Sequence, residues 1–262
     1  MQDTRPIGLF DSGIGGLTVL REALHILPHE QYIYIGDTKH VPYGTKSPDL
    51  IRQYAIEITQ MLLKHDIKAL VVACNTVSAV ALDEIRKLAG TIPVIDVINP
   101  TIRCIPKTSG TIAIIATQAT VSSHRYKEKI LQMTQRNIIE KTPSLFVPLI
   151  EHHYDDIARL RFAIVENLTD LKHEKTLDTL ILGCMHYAII KEHIAEFFGE
   201  GVKIVDSSIP AAQLLKDILI KHNMRSTKSA GSVKILFTSE HSLPSMKFAR
   251  KFLGNGLLKK SK

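Results

Sequence analysis

Residues 69–76, ALVVACNT, and residues 179–186, TLILGCMH, share one pattern: a short aliphatic run ending in a cysteine that hydrogen-bonding residues follow. Cys74 precedes Asp96 by 22 residues and Cys184 precedes Asp206 by 22; Pro100 and Pro210 each lie four residues beyond those acids. Upstream, IGLFDSG (7–13) is matched by IAIIATQ (112–118), which sets Ser12 against Thr117. Landmarks recurring in order at an offset of 105–110 residues indicate a duplicated unit.

The wider pattern extends this reading. IGLF (7–10), YIYIG (32–36), ALVVA (69–73) and PVIDVI (93–98) form one set of apolar runs. TIAIIA (111–116), TLILG (179–183), VKIVD (202–206) and VKILF (233–237) form the second. Short continuous apolar strands separated by amphipathic stretches, such as 49–66 and 191–199, predict parallel sheets covered on both faces. The expected fold is α/β: two pseudo-symmetric parallel-sheet domains with the active site in the cleft between them. The Asp-x-x-x-Pro segments 96–100 and 206–210 are the expected crossings, stiffened by proline. They divide the chain into a first domain of residues 1–97 plus 208–262, to which VKILF returns, and a second of 98–207.

Composition excludes several classes. With 45% hydrophobic and 23% charged residues in 262, the chain is too apolar to be mainly disordered. No apolar run approaches the ~18 residues of a membrane span, and the start, MQDTRPIGLFDSG, does not resemble a secretion signal. A soluble, cytoplasmic protein is expected. Lys251, Lys259, Lys260 and Lys262, with no acid among residues 251–262, supply +4 of the net +7, so a solvated tail explains most of the basic excess. No basic stripe alternates with aromatics, so neither nucleic acid nor membrane is an expected partner. The oligomeric state is not legible, though a homodimer is compatible with the chain.

In open parallel sheets, ligands bind beyond the carboxyl ends of the strands. Every polar cluster here follows a predicted strand: DSG (11–13), GDT (36–38), CNT (74–76), ATQAT (116–120) and CMH (184–186). Two facing related units would put Cys74 and Cys184 on opposite walls of one cleft. That suits inversion of a stereocentre, which needs a base on one face and an acid on the other; thiol and thiolate are both reachable near neutral pH. Three cysteines without a CxxC argue against disulfides or zinc, and Cys104, in PTIRCIPK, reads as a small core residue. Two rival readings are weaker. Gly13 and Gly15 suggest a dinucleotide loop with Asp37 as its ribose acid, but Thr18 stands where the third glycine belongs. In EHHYDD (151–156), Glu151, His152, His153 and Asp156 suggest a metal, but adjacent helical histidines point about 100° apart. Neither a cofactor nor a metal is therefore expected.

Taken together, the motifs resemble the cofactor-independent glutamate racemases of the aspartate/glutamate racemase superfamily. The matching segments are GLFDSGIGGLTVL (8–20), YIGDTKHVPYG (34–44), LVVACNTVSA (70–79), PVIDVINP (93–100), ATQAT (116–120), PLIE (148–151) and LGCMHY (182–187). The resemblance implies Cys74 and Cys184 as proton carriers on either side of the substrate's α-carbon. Asp11, Glu151 and His186 are implied as auxiliary acid–base groups, Asp11 nearer Cys74 and the other two nearer Cys184. Implied substrate contacts are Asp11, Ser12, Tyr43, Gly44, Asn75, Thr76, Thr117, Thr120, Met185 and His186. The family usually carries Thr-His-Tyr-Pro after its second cysteine; here Met185 and Ala188 replace the Thr and Pro, so Met185 offers a backbone N–H but no hydroxyl. The implied function is interconversion of L- and D-glutamate, supplying D-glutamate for peptidoglycan. Two alternatives stay open: a racemase of the same superfamily acting on aspartate or another amino acid, and a non-catalytic binding or regulatory protein on the same fold.

Overall fold

The computed structural model describes residues 3–226 and 228–254; Lys259, Lys260 and Lys262 of the basic tail lie outside the described residues. Its strands are β1 (Ile7–Asp11), β2 (Gln31–Gly36), β3 (Ala69–Val72), β4 (Val94–Asp96), β5 (Thr111–Ala116), β6 (Ile138–Lys141), β7 (Leu177–Gly183), β8 (Lys203–Asp206) and β9 (Ser232–Phe237). They build two sheets, ordered β4-β3-β1-β2-β9 and β6-β5-β7-β8, and every pairing is parallel. Read from its other edge, the second sheet runs β8-β7-β5-β6. That is the order β4-β3-β1-β2 of the first, so the duplication holds at the level of topology; β9 is an addition to the first half.

Alternation along each strand explains the layers. Ile7 and Leu9 of β1 face one cluster with Leu20 and Ala23 of helix Leu17–Ile26 and Leu215 of helix Ser208–Lys221. Phe10 faces the opposite cluster with Ile51, Ala55 and Ile58 of helix Pro48–Leu63. In the second sheet Ala113 and Ile115 meet Leu160 and Ile164 of helix Ile157–Lys172, whereas Ile112 and Ile114 meet Tyr126 and Ile130. Strands apolar on both faces require helices on both, which is why the runs carry no polar alternation.

The two Asp-x-x-x-Pro segments are helix starts. Asp96 Oδ1 accepts from the N–H groups of Ile98 (2.9 Å) and Asn99 (2.8 Å), and Asp206 Oδ1 accepts from Ser208 N (3.0 Å). Each Asp-x-x-x-Pro therefore starts a helix, with its proline in the first turn where no N–H is required. This ends PVIDVI as a strand at Asp96: Val97 precedes and Ile98 begins helix Ile98–Ile102. That helix packs with Ile112 and Ile114 of the second sheet, while helix Ser208–Lys221 packs on the first. Cys104 is a correction: it is exposed, because the helix ends just before it and its N–H folds back onto Thr101 O (3.0 Å).

Candidate active site

In the first lobe the site grows from the ends of β1 and β3. Asp11 Oδ2 accepts from Gly13 N at 2.9 Å, and the Tyr34 hydroxyl donates to Gly13 O at 2.7 Å, which together shape the turn after β1. Asp11 is buried, and burial raises its pKa against the opposing pull of His186 and the Gly16 and Gly13 N–H groups. Cys74 is the extended residue between β3 and helix Asn75–Val80, and its Sγ donates to Ser12 Oγ at 3.5 Å. Burial, and then the Asp11 charge, push this thiol up to about 12, outweighing the Ser12 hydroxyl and Val77 N–H.

The second lobe repeats the backbone and changes the chemistry. Cys184 is likewise the extended residue between β7 and helix Met185–Ile189. Its Sγ stands 3.8 Å from His186 Nδ1, and His186 Nε2 meets Glu151 Oε1 at 2.5 Å. Burial works against charge on His186, but the Cys184 sulfur and Glu151 outweigh it and hold the imidazole well above its ordinary value. Burial likewise works against ionised Glu151; the His186 contact and the Ile14 N–H outweigh it and hold the carboxyl low. Both shifts describe the same charged pair.

One cavity of about 300 Å³ joins these parts. Asp11, Ser12, Tyr43, Gly44, Cys74, Asn75 and Thr76 line it from the first lobe; Thr117, Cys184, Met185 and His186 line it from the second. Glu151 and Thr120 stand behind that lining. Glu151 reaches the cavity through His186, and Thr120 Oγ1 lies 3.0 Å from Thr117 Oγ1 and 3.3 Å from Thr76 Oγ1. Thr76 and Thr117 are themselves 2.8 Å apart, hydroxyl to hydroxyl, across the lobe boundary. Neither Ser12 nor Thr76 is a helix cap, so their hydroxyls are free of that duty.

The glycines serve close approach between the lobes. A Cβ on Gly15 would stand 2.8 Å from His186 Nδ1 and 2.9 Å from its backbone N; one on Gly44 would stand 2.5 Å from Thr117 Cβ. Asp37 is committed elsewhere: its Oδ2 accepts from the Tyr43 hydroxyl at 2.6 Å and lies 2.8 Å from His40 Nδ1, and its Oδ1 accepts from Thr238 Oγ1 at 2.6 Å. It fastens Tyr43 and the end of β9 rather than facing a ribose. In EHHYDD, Glu151 turns inward while His152 and His153 are exposed, so the segment does not converge on one point.

The sequence reading missed one wall, formed by Thr142, Pro143, Ser144, Val147 and Pro148. It follows β6, the strand that was also missed. The repeat itself held the signal, since β6 is the counterpart of β2, and the loop after β2 supplies Val41, Pro42, Tyr43 and Gly44.

The profile of the Asp/Glu/Hydantoin racemase family matches residues 17–215. The chain belongs to that family. The glutamate racemase of Chlorobaculum parvum is 42% identical over 257 residues, covering 96% of this chain and 93% of the relative. That of Geobacter metallireducens is 39% identical over 256 residues, covering 97% and 94%. Among solved structures, glutamate racemase from Francisella tularensis in complex with D-glutamate superposes with a TM-score of 0.90 at 35% identity, covering 98% of this chain and 96% of that one. As a racemase-family protein, the chain has two lobes of the same architecture as that structure, and its cleft is the cavity described above.

Proposed function

We propose that this protein interconverts L- and D-glutamate by a two-base proton transfer between Cys74 and Cys184. The observation carrying the reading is that two sulfurs at duplicated strand ends line one small cavity, each with its own proton-handling neighbours. The extensive likeness to glutamate racemases supports glutamate over other amino acids. In this reaction a thiolate on one face takes the α-hydrogen as a proton. The electron pair left on the α-carbon delocalises into the α-carboxylate, and the thiol on the other face returns a proton, so the centre inverts and the cysteines exchange protonation states. Ser12, Asn75, Thr76 and Thr117 are the donors for the substrate's carboxylates, where negative charge grows during the reaction. Asp11 is placed to handle charge beside Cys74, and the Glu151–His186 pair beside Cys184. Tyr43, Gly44, Thr120 and Met185 complete the substrate shell. Residues 1–97 with 208–262 and residues 98–207 are the two domains that would close on the ligand. The D-glutamate formed would serve peptidoglycan synthesis in the cytoplasm.

Racemisation of glutamate in D2O without added cofactor tests the proposal. Solvent deuterium is expected at the α-carbon of the newly formed enantiomer, and Cys74→Ala or Cys184→Ala should abolish turnover in a folded protein. Racemisation retained in either variant would overturn the two-base mechanism. Turnover of aspartate in preference to glutamate would overturn the substrate assignment.

A further inference from the structure

Asn75 lies at the start of helix Asn75–Val80, is buried, and lines the cavity. Its two amide ends have unequal fates. Oδ1 accepts from the Tyr126 hydroxyl at 2.6 Å, whereas Nδ2 is buried with no hydrogen-bond partner among the described residues. A buried amide nitrogen carrying two unused N–H groups is costly unless a ligand satisfies them.

Tyr126 approaches from the other lobe, on helix Arg125–Leu131, and its ring is packed with Ile98, Ile102, Ile112 and Ile130. Its hydroxyl sits beside Thr101, in helix Ile98–Ile102 after β4, and Ser207, directly after β8, although Thr101 donates to Val97 O and Ser207 Oγ falls short of hydrogen-bond geometry. The phenol therefore lies near both crossing segments, with its one hydrogen bond among the described residues going to Asn75. Burial raises the Tyr126 pKa, so the oxygen keeps its proton and acts as the donor to Asn75. This matters because an asparagine amide is nearly symmetric in shape. Rotated by half a turn, Asn75 would send its carbonyl oxygen into the cleft, an acceptor facing a carboxylate.

We propose that Tyr126 is a positioning residue, whose hydroxyl fixes the Asn75 amide with both N–H groups aimed at a substrate carboxylate. This rests on the reading of Asn75 as a substrate contact. The bond crosses from the second lobe to the first, so it couples the arrangement of the lobes at the crossings to the donor set of the cleft.

The test compares the wild type, Tyr126→Phe, Asn75→Ala and the double variant by KM and kcat for glutamate, with thermal melting as a fold check. Asn75→Ala is expected to raise KM. Tyr126→Phe is expected to raise KM about 3- to 10-fold, the worth of one hydrogen bond, with kcat changed less than about twofold. In the Asn75→Ala background, Tyr126→Phe should add nothing further, because there is no amide left to orient. Additive effects, or an unchanged KM in Tyr126→Phe beside a raised KM in Asn75→Ala, would overturn the positioning role while leaving the Asn75 contact intact. An unchanged KM in Asn75→Ala would overturn the contact and the positioning role with it, leaving the racemase reading to its own test. Should Tyr126→Phe fail to fold, the Asn75 side-chain amide resonances of the wild type decide: they should shift on adding glutamate, and no shift would overturn the proposal.

Discussion

Glu151→Gln keeps the shape of the Glu151–His186 contact and removes its charge. The bond is 2.5 Å long between side chains that are 12% and 4% exposed, so solvent screens it little. A hydrogen bond to a charged group is worth about 1.5–3 kcal/mol and a neutral one about 0.5–1.5, so the swap forfeits roughly 1–2 kcal/mol of support for the imidazolium. If the transition state depends on that charge beside Cys184, kcat/KM falls about 5- to 30-fold. The pH dependence has a definite sign. His186 is held above its ordinary 6.5, so its share of stability is full below 6.5 and lost as pH rises through the folded value. Glu151 is held below 4.5, so its share is full above 4.5 and lost as pH falls through the folded value. The pair therefore contributes fully between pH 4.5 and 6.5. There the variant should melt about 2–8 °C below the wild type, with the gap narrowing on both sides. Melting curves across pH, with the His186 ring titration followed by NMR, check this. A His186 that titrates alike in both proteins would refute the charge coupling.

Gly15→Ala places a methyl 2.9 Å from the His186 backbone nitrogen, which cannot swing away, so the lobes must separate; kcat/KM measured with glutamate should fall at least tenfold while the protein stays folded. Met185→Thr restores the hydroxyl usual in the family. However, Met185 is only 2% exposed and packs into the cluster of Ile14 and Leu17, so the expected result is a lower melting temperature, by about 1–3 kcal/mol of lost packing, and no gain in kcat/KM. A gain above threefold would show that the missing hydroxyl limits this protein. Lys68→Ala leaves Glu30 buried without its cation and without the Lys68 bonds to Asp3 O and Met224 O, so denaturant titration should show a loss of about 3–5 kcal/mol with KM unchanged.

The fold was legible because burial on both faces leaves a strong trace: every strand read from the sequence is present within a few residues. The strand that was not read, β6, shows why. It lies at a sheet edge, its four residues are only half-buried, and Glu140 and Lys141 interrupt the apolar run. Its loop went unread with it, and so did the wall from Thr142 to Pro148. The cysteines and their strand-end neighbours were legible from the repeat alone. Tyr126 was not. It looks like one more aromatic on a short helix, and its importance lies in a contact with Asn75, 51 residues away, which only the tertiary structure shows. The weaker dinucleotide reading of Asp37 rested on spacing from a glycine, which cannot tell a ligand-binding acid from one occupied by Tyr43 and Thr238.

The duplication also bears on how unequal the two walls can be. The backbone repeats, with both cysteines extended at the head of a short helix, yet one thiol faces Ser12 beside Asp11 and the other faces a charged His186–Glu151 pair. For the proposed reaction this asymmetry cannot favour one direction. Two enantiomers have equal free energies in water, so the equilibrium constant is one, and kcat/KM must match in both directions at every pH. Only kcat and KM can differ, and they must differ by the same factor. Cys74, pushed up to about 12, carries its proton in the free protein. An enantiomer whose α-hydrogen faces Cys184 is deprotonated from the wall that carries the charged His186–Glu151 pair. Its mirror image faces a Cys74 thiol that must first lose a proton, so its kcat should be the smaller and should rise more steeply with pH. Initial rates from pure L- and pure D-glutamate across pH measure this, and equal kcat values throughout would mean that the substrate's own charges erase the difference between the walls.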